Sequence, residues 1–182
     1  MKNRATLGAI LPMMFNPGAF LQVRLKDVNV LFSLFVPALG FGLFFMQTGL
    51  DLFKTGQKSM NFVYTISIVG LAYGALVVPF FGVLLWLFLK ISKSKVSFKE
   101  TIGAMCLSYS GLLVYMAFGM IFSIFLNWRT SIAFGATGVV WSMGATMGTI
   151  RQLSGGKTAL SVILSTVFGV LVLLSWYYVG NM

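Results

Sequence analysis

The sequence predicts an all-α, polytopic membrane protein: a five-transmembrane-helix bundle with a short N-terminal interfacial helix. Three observations predict it. Charged residues make up only 9% of the 182 residues, against about 25% in soluble domains. They fall in short islands, and the apolar runs between the islands reach the ~20 residues that a helix needs to cross hydrocarbon. The lysines and arginines also alternate in number from island to island, as they do when alternate loops face the cytoplasm. Hydrophobic residues supply 58% of the chain and no polar block is set apart for a soluble unit, so residues 1–182 read as one membrane domain.

The first span is expected at about 28–50, the second at 62–89, the third at 102–126, the fourth at 131–150 and the fifth at 159–179. The second run has 28 residues without a charge and exceeds the ~30 Å core at ~1.5 Å per residue; tilt or a kink at Pro79 absorbs the excess. Lys2, Arg4, Arg24 and Lys26 precede the first span. Lys54 and Lys58 follow it, then Lys90, Lys93, Lys95 and Lys99, then Arg129 alone, then Arg151 and Lys157. Alternate islands hold ten basic residues on one side and three on the other. The rich side faces the cytoplasm, which puts the N-terminus inside and the C-terminus outside, in a bacterial inner (plasma) membrane. Splitting the second run into two spans destroys this alternation.

Residues 1–27 form a cytoplasmic or interfacial segment. "MKNRATLGAILPMMF" starts like a signal peptide, but its apolar run is short, carries Pro12 and leads to no small-residue cleavage site, so it is expected to stay uncleaved. Asn16-Pro17 reads as a helix start, with Asn16 the N-cap and Pro17 the first helical residue. "GAFLQVRLK" mixes apolar with basic residues, and a helix lying in the membrane surface with its cations toward the headgroups fits it. Trp128 and the Trp176-Tyr177-Tyr178 cluster suit anchors at the outer boundary.

"RQLSGGKTAL", residues 151–160, ends like a phosphate-binding loop. That motif needs glycine five residues before Gly156, and the residue there is Arg151; a membrane span, not a strand, precedes it. A tight cytoplasmic turn accounts for it better. Gly155 or Gly156 closes the fourth helix in a left-handed cap, and Thr158 or Ser154 caps the fifth. Neither a nucleotide nor, despite the net charge of +10, a nucleic acid is expected as partner.

Enzyme chemistry finds no support. The chain has no histidine, and its only acids are Asp27, Asp51 and Glu100, all at span boundaries. No acid–base pair, activated nucleophile or metal-ligand cluster can be assembled from them, and no cofactor is expected. The lone Cys106 behaves as a small buried apolar residue. No charged residue lies within a span, which argues against a proton relay.

The fourth span is rich in small residues: 12 of its 20 are Gly, Ala, Ser or Thr. Ser131, Gly135, Gly138, Ser142, Ala145 and Thr149 share one helical face. Ala133, Thr137, Gly144 and Gly148 share the opposite one, with Gly144 and Gly148 forming a GxxxG. Two small faces predict a helix wedged at the bundle centre; the other reading is a groove for lipid or substrate. Pro37 and Pro79 are expected to kink the first two spans, and paired broken helices can frame a binding site. Tyr73, Ser108, Tyr109, Ser110 and Tyr115 place hydroxyls within the spans, where they bond between helices or hold a headgroup.

The order "FNPGAFLQVRLKD", then "KISKSKVSFKETIGAMCLSYS" opening the third span, then a Gly-rich fourth span ending in "RQLSGGKTAL", resembles the Yip family of small five-span membrane proteins, in particular its short bacterial members. Eukaryotic members are known for Rab GTPase interaction and Golgi traffic, and carry a longer cytosolic N-terminal region with a DLYGP-like motif; this sequence has neither. Many members have proline after the "YS" of the third span, where this chain has Gly111. The resemblance implies the five-span fold and a non-enzymatic role in membrane organisation or trafficking.

The expected partners are membrane lipids, another membrane protein or a second copy of the chain. The candidate surface comprises Tyr73, Pro79, Tyr109, Tyr115, Gly135, Gly138 and Ser142, flanked by the cytoplasmic basic residues Arg24, Lys26, Lys93, Lys95, Lys99, Arg151 and Lys157. A small transporter, channel or lipid-translocating protein, with its cavity at the Pro37 and Pro79 kinks, is the alternative.

Overall fold

The computed structural model describes residues 7–180, and these are helical with no strand among them. A 3-10 turn at Leu7–Ala9 leads into α1 (Ile10–Phe15) and α2 (Pro17–Arg24), then a second 3-10 turn at Leu25–Asp27. The long helices follow: α3 (Val30–Lys54), α4 (Met60–Ile91), α5 (Phe98–Leu107) and α6 (Ser110–Phe125). A π-helical turn at Ser131–Ala136 opens α7 (Thr137–Leu153), and α8 is Thr158–Gly180. α5 and α6 form one rod that breaks at Ser108-Tyr109.

Local chemistry explains the boundaries. The Asn16 side chain accepts from Ala19 N (3.2 Å) with Pro17 at the first helical position, and Asn29 accepts from Phe32 N (3.4 Å) at the start of α3. Ser97 and Glu100 cap α5 reciprocally. Gly155 and Gly156 both take positive φ, at 70° and 93°, so both close α7 in the left-handed region that glycine enters without strain. Thr158 and Ser154 do not cap α8 as expected. Their hydroxyls donate backward, to the Gly156 and Arg151 carbonyls, and serve the turn instead.

Among the described residues, four helices are long and apolar enough to cross a membrane: Val30–Lys54, Met60–Ile91, Phe98–Phe125 and Thr158–Tyr178. The expected fourth span is helical but is not among them. Its α-helical part, α7, has 17 residues, about 26 Å at ~1.5 Å per residue and short of the ~30 Å core, and its Gly, Ala, Ser and Thr side chains add little apolar surface. The structure thus supports an all-α membrane bundle with four such helices, in place of the five expected.

The bundle centre is α3 and not the small-residue helix. α3 packs against α4, α5, α6, the π turn and α8, and Val36, Phe41, Phe44 and Phe45 on it are at most 1% exposed. Its neighbours come close through small residues. Gly74 of α4 lies against the Pro37 carbonyl, Gly40 faces Leu112 of α6, and Gly70 faces Phe41 and Phe45. Around these contacts aromatic rings interlock: Phe41 meets Tyr73 and Tyr109, and Phe44 stacks on Trp176 at 4.9 Å.

The expected helix from Pro17 is present as α2, with Phe20 and Leu21 buried and Gln22 and Arg24 exposed. A further helix, α1, precedes it, and the two pack along α7 and α6. Met14 meets Trp141, Pro17 meets Gly148 and Gln22 meets Gln152; from 17 to 22 the contacts step the same way along both helices, so α2 runs beside α7. The reason is visible in the residues. Across the first 3-10 turn and α1, Ala9 and Met13 are buried while Leu7, Leu11 and Phe15, at i, i+4 and i+8, are exposed. A helix apolar on both sides has no face that prefers water.

Candidate functional site

The residues that the sequence marked as a binding surface are mostly packing residues. Gly138 sits on Leu112 and Tyr115 of α6, and a Cβ there would lie 3.1 Å from Leu112 Cα. Ser142 donates to the Gly138 carbonyl and accepts from Leu112 N at 3.2 Å. Gly135 is filled by the Phe44 ring. Tyr109 is buried, Tyr73 hydrogen-bonds Ser175 of α8, and Ser108 bonds Thr149 Oγ1 at 2.8 Å. Tyr115 is half-buried beside Trp141, and Pro79 is half-buried on α4. α3 and α4 continue through Pro37 and Pro79, and Pro37 is closed in by Gly74.

All six residues of the first small face, Ser131 through Thr149, are buried, while Ala133, Thr137 and Gly144 of the opposite face are exposed. α7 is therefore packed on one side and open on the other. The N-terminal helices approach its open side, with Pro17 against Gly148, and the start of α8 borders it at Thr158 and Ser161. Between them runs a groove. Its upper part, about 690 Å³, is lined by Asn16, Gln22, Arg151, Gln152 and Thr158 above Met147 and Phe15. Its lower part, about 400 Å³, is lined by Met14, Val140, Trp141 and Ala145. Phe15, Pro17 and Gly144 belong to both parts, so the groove is continuous. It follows α7 from Arg151 to Thr137, about 21 Å at ~1.5 Å per residue. At Gly144 a Cβ would meet nothing within 4 Å.

Trp141 organises the groove wall. Its indole N–H donates to the Met14 carbonyl (3.0 Å), and its ring meets Phe15 edge-on at 6.0 Å. Gly111 lets the indole approach α6: a Cβ there would lie 2.7 Å from Trp141 Cδ1. The glycine that departs from the "YS-proline" pattern is thus the seat of the residue that ties α1, α6 and α7 together.

The predicted basic residues gather at one end of the bundle. Lys26 and Lys99 line the same hollow, Ser94 beside Lys93 and Lys95 donates to the Leu153 carbonyl, and Arg151 and Lys157 flank that turn. Arg24 pairs with Asp27 at 4.0 Å.

The opposite end carries a polar cluster that the sequence reading passed over. Gln47 is 0% exposed; it donates to the Met116 carbonyl (2.7 Å) and accepts from Thr130 Oγ1. The Asp51 carboxylate accepts from Ser131 N (2.8 Å), Ser131 Oγ and Thr130 N, and so caps the π turn from another helix. Lys54 donates to the Ser123 carbonyl, the Ser123 hydroxyl and the Trp128 carbonyl. The signal was legible: positions 47, 51 and 54 recur at i, i+4 and i+7, one helical face. A cavity of about 330 Å³ adjoins the cluster, bounded by Thr48, Arg129 and Trp176. Every polar atom of Asp51 and Lys54 is drawn into fixing the loop, which makes this end a clamp.

Fold and site together define, among the described residues, an all-helical bundle with helices long and apolar enough to cross a membrane and an open amphipathic groove. No family model, curated protein or solved structure matches the chain.

Proposed function

We propose that this is a non-enzymatic integral membrane protein, similar to the short bacterial Yip type, that holds a membrane lipid in the groove between its N-terminal helices and α7. The observation that carries this reading is the open face of α7. Small residues that could have packed another helix are left exposed beneath Phe15 and Trp141, and the charged and amide side chains of the lining stand at one end, with Thr137 the polar residue at the other. That arrangement matches a lipid, polar head above apolar chain, and its ~21 Å length exceeds one leaflet's ~15 Å of hydrocarbon by about a headgroup's depth.

In this reading the chain crosses the membrane five times. The α7 rod is a fifth crossing despite its weak apolarity, because neighbours and lipid cover its small side chains. The basic end faces the cytoplasm of a bacterial inner membrane, α1 reaches into the hydrocarbon beside Trp141, and the C-terminus emerges outside. The alternative of a transporter with a cavity at the proline kinks draws less support, since Gly74 closes against Pro37 where that cavity would open.

Native mass spectrometry of the gently extracted protein tests the reading. The wild type should retain one phospholipid per chain, and Gly144→Leu, which fills the groove, should retain none. Equal retention by both would overturn the groove as the binding place.

A further inference from the structure

The groove's mouth names the lipid's chemistry, an inference that rests on the lipid-holding reading above. Among the residues lining the upper cavity, Arg151 is the only charged one. Among the described residues Arg151 makes no ion pair. The three acids of the chain, Asp27, Asp51 and Glu100, are all absent from the lining. The remaining polar side chains at the mouth are Asn16, Gln22, Gln152, Thr158 and Ser161, which carry amide and hydroxyl groups. Lys157 stands between Gly156 and Thr158, both of which line the cavity. A cation with hydrogen-bonding neighbours and no carboxylate complements a phosphodiester that has no compensating ammonium nearby. A zwitterionic headgroup brings an ammonium for which this mouth offers no carboxylate.

We propose that the groove selects an anionic phospholipid, with its phosphate at Arg151 and one acyl chain running past Gly144 to Val140 and Trp141. Arg151 fits the role better than lysine would, since its planar fork meets two phosphate oxygens at once. The Gln22 and Gln152 side chains, already paired at 3.3 Å, border the mouth from α2 and α7 and hold the two walls at a fixed spacing.

The test is competition in native mass spectrometry between palmitoyl-oleoyl phosphatidylglycerol and palmitoyl-oleoyl phosphatidylethanolamine, which share acyl chains and differ in headgroup charge. The wild type should favour phosphatidylglycerol by about fivefold or more, and Arg151→Gln should remove that preference while still retaining lipid. Gly144→Leu should retain neither lipid; Met147→Trp, which fills the upper cavity from an exposed position, is the second variant should Gly144→Leu lose its fold. Equal retention of the two lipids by the wild type, or an unchanged preference in Arg151→Gln, would overturn the headgroup assignment and leave the groove standing. Persistent binding in both filled variants would overturn the groove itself.

Discussion

Leucine placed at two glycines of one helix should give opposite results. At Gly138 the first added carbon already lies 3.1 Å from Leu112 Cα and 3.2 Å from Tyr115 Cβ. Leu112 Cα is backbone and yields only if α6 moves, and the rest of the leucine side chain has no room. Overpacking of this kind costs about 3 kcal/mol at the upper end of its usual range. Removing a helical glycine returns up to ~1 kcal/mol, leaving a net loss of about 2 kcal/mol. For a chain of this length that lowers Tm by about 4–8 °C. At Gly144 the same side chain meets nothing within 4 Å of its Cβ, so only the propensity gain remains and Tm should hold or rise by about 2–3 °C. The assay is thermal unfolding in lipid-free detergent micelles, followed by circular dichroism. Equal losses in the two variants, or a larger loss at Gly144, would refute the assignment of a packed and an open face to α7.

Other expectations follow from the same geometry. Asp51→Ala strips a carboxylate from the Thr130 and Ser131 donors and should lower stability by about 2–3 kcal/mol, read by the same melt, with Asp51→Asn intermediate. Trp141→Phe removes the bond to the Met14 carbonyl, and hydrogen exchange should speed up by about fivefold or more in residues 10–15 with little change in α3. Gly155→Ala puts a side chain at φ 70° and should cost about 1 kcal/mol, seen as a lowered Tm. A thiol introduced in the loop of Lys93 and Lys95 should be labelled only from the cytoplasmic side, and one beside Lys58 only from outside; the reverse pattern would refute the charge-based orientation.

The sequence revealed the helices but not their arrangement. Long apolar runs mark helices well because hydrocarbon demands internal hydrogen bonds of every backbone group. The same demand blurs burial. Phe41, at the bundle centre, and Phe35, which is 63% exposed, are alike in composition, because lipid and protein interior are both apolar. Hence α3 could not be picked out as the centre, and α7, whose small side chains suggested centrality, is peripheral on one side. The small-residue periodicity did find the packed face of α7, from Ser131 to Thr149, since only close helix approach requires it. What it could not show was that the opposite stripe stays open, because that depends on where residues 7–24 fold back. Gln47, Asp51 and Lys54 were readable as one face; their partners Thr130, Ser131 and Ser123 lie far along the chain and carry no local mark.

The most direct measurement is to photolyse a phosphatidylglycerol carrying a diazirine on its acyl chain in vesicles containing the protein, then map the adducts by peptide mass spectrometry. The account predicts adducts concentrated at Phe15, Val140, Trp141 and Met147 and competed away by unlabelled phosphatidylglycerol. Adducts spread evenly over the outward faces of α4 and α8, with none along the groove, would contradict it.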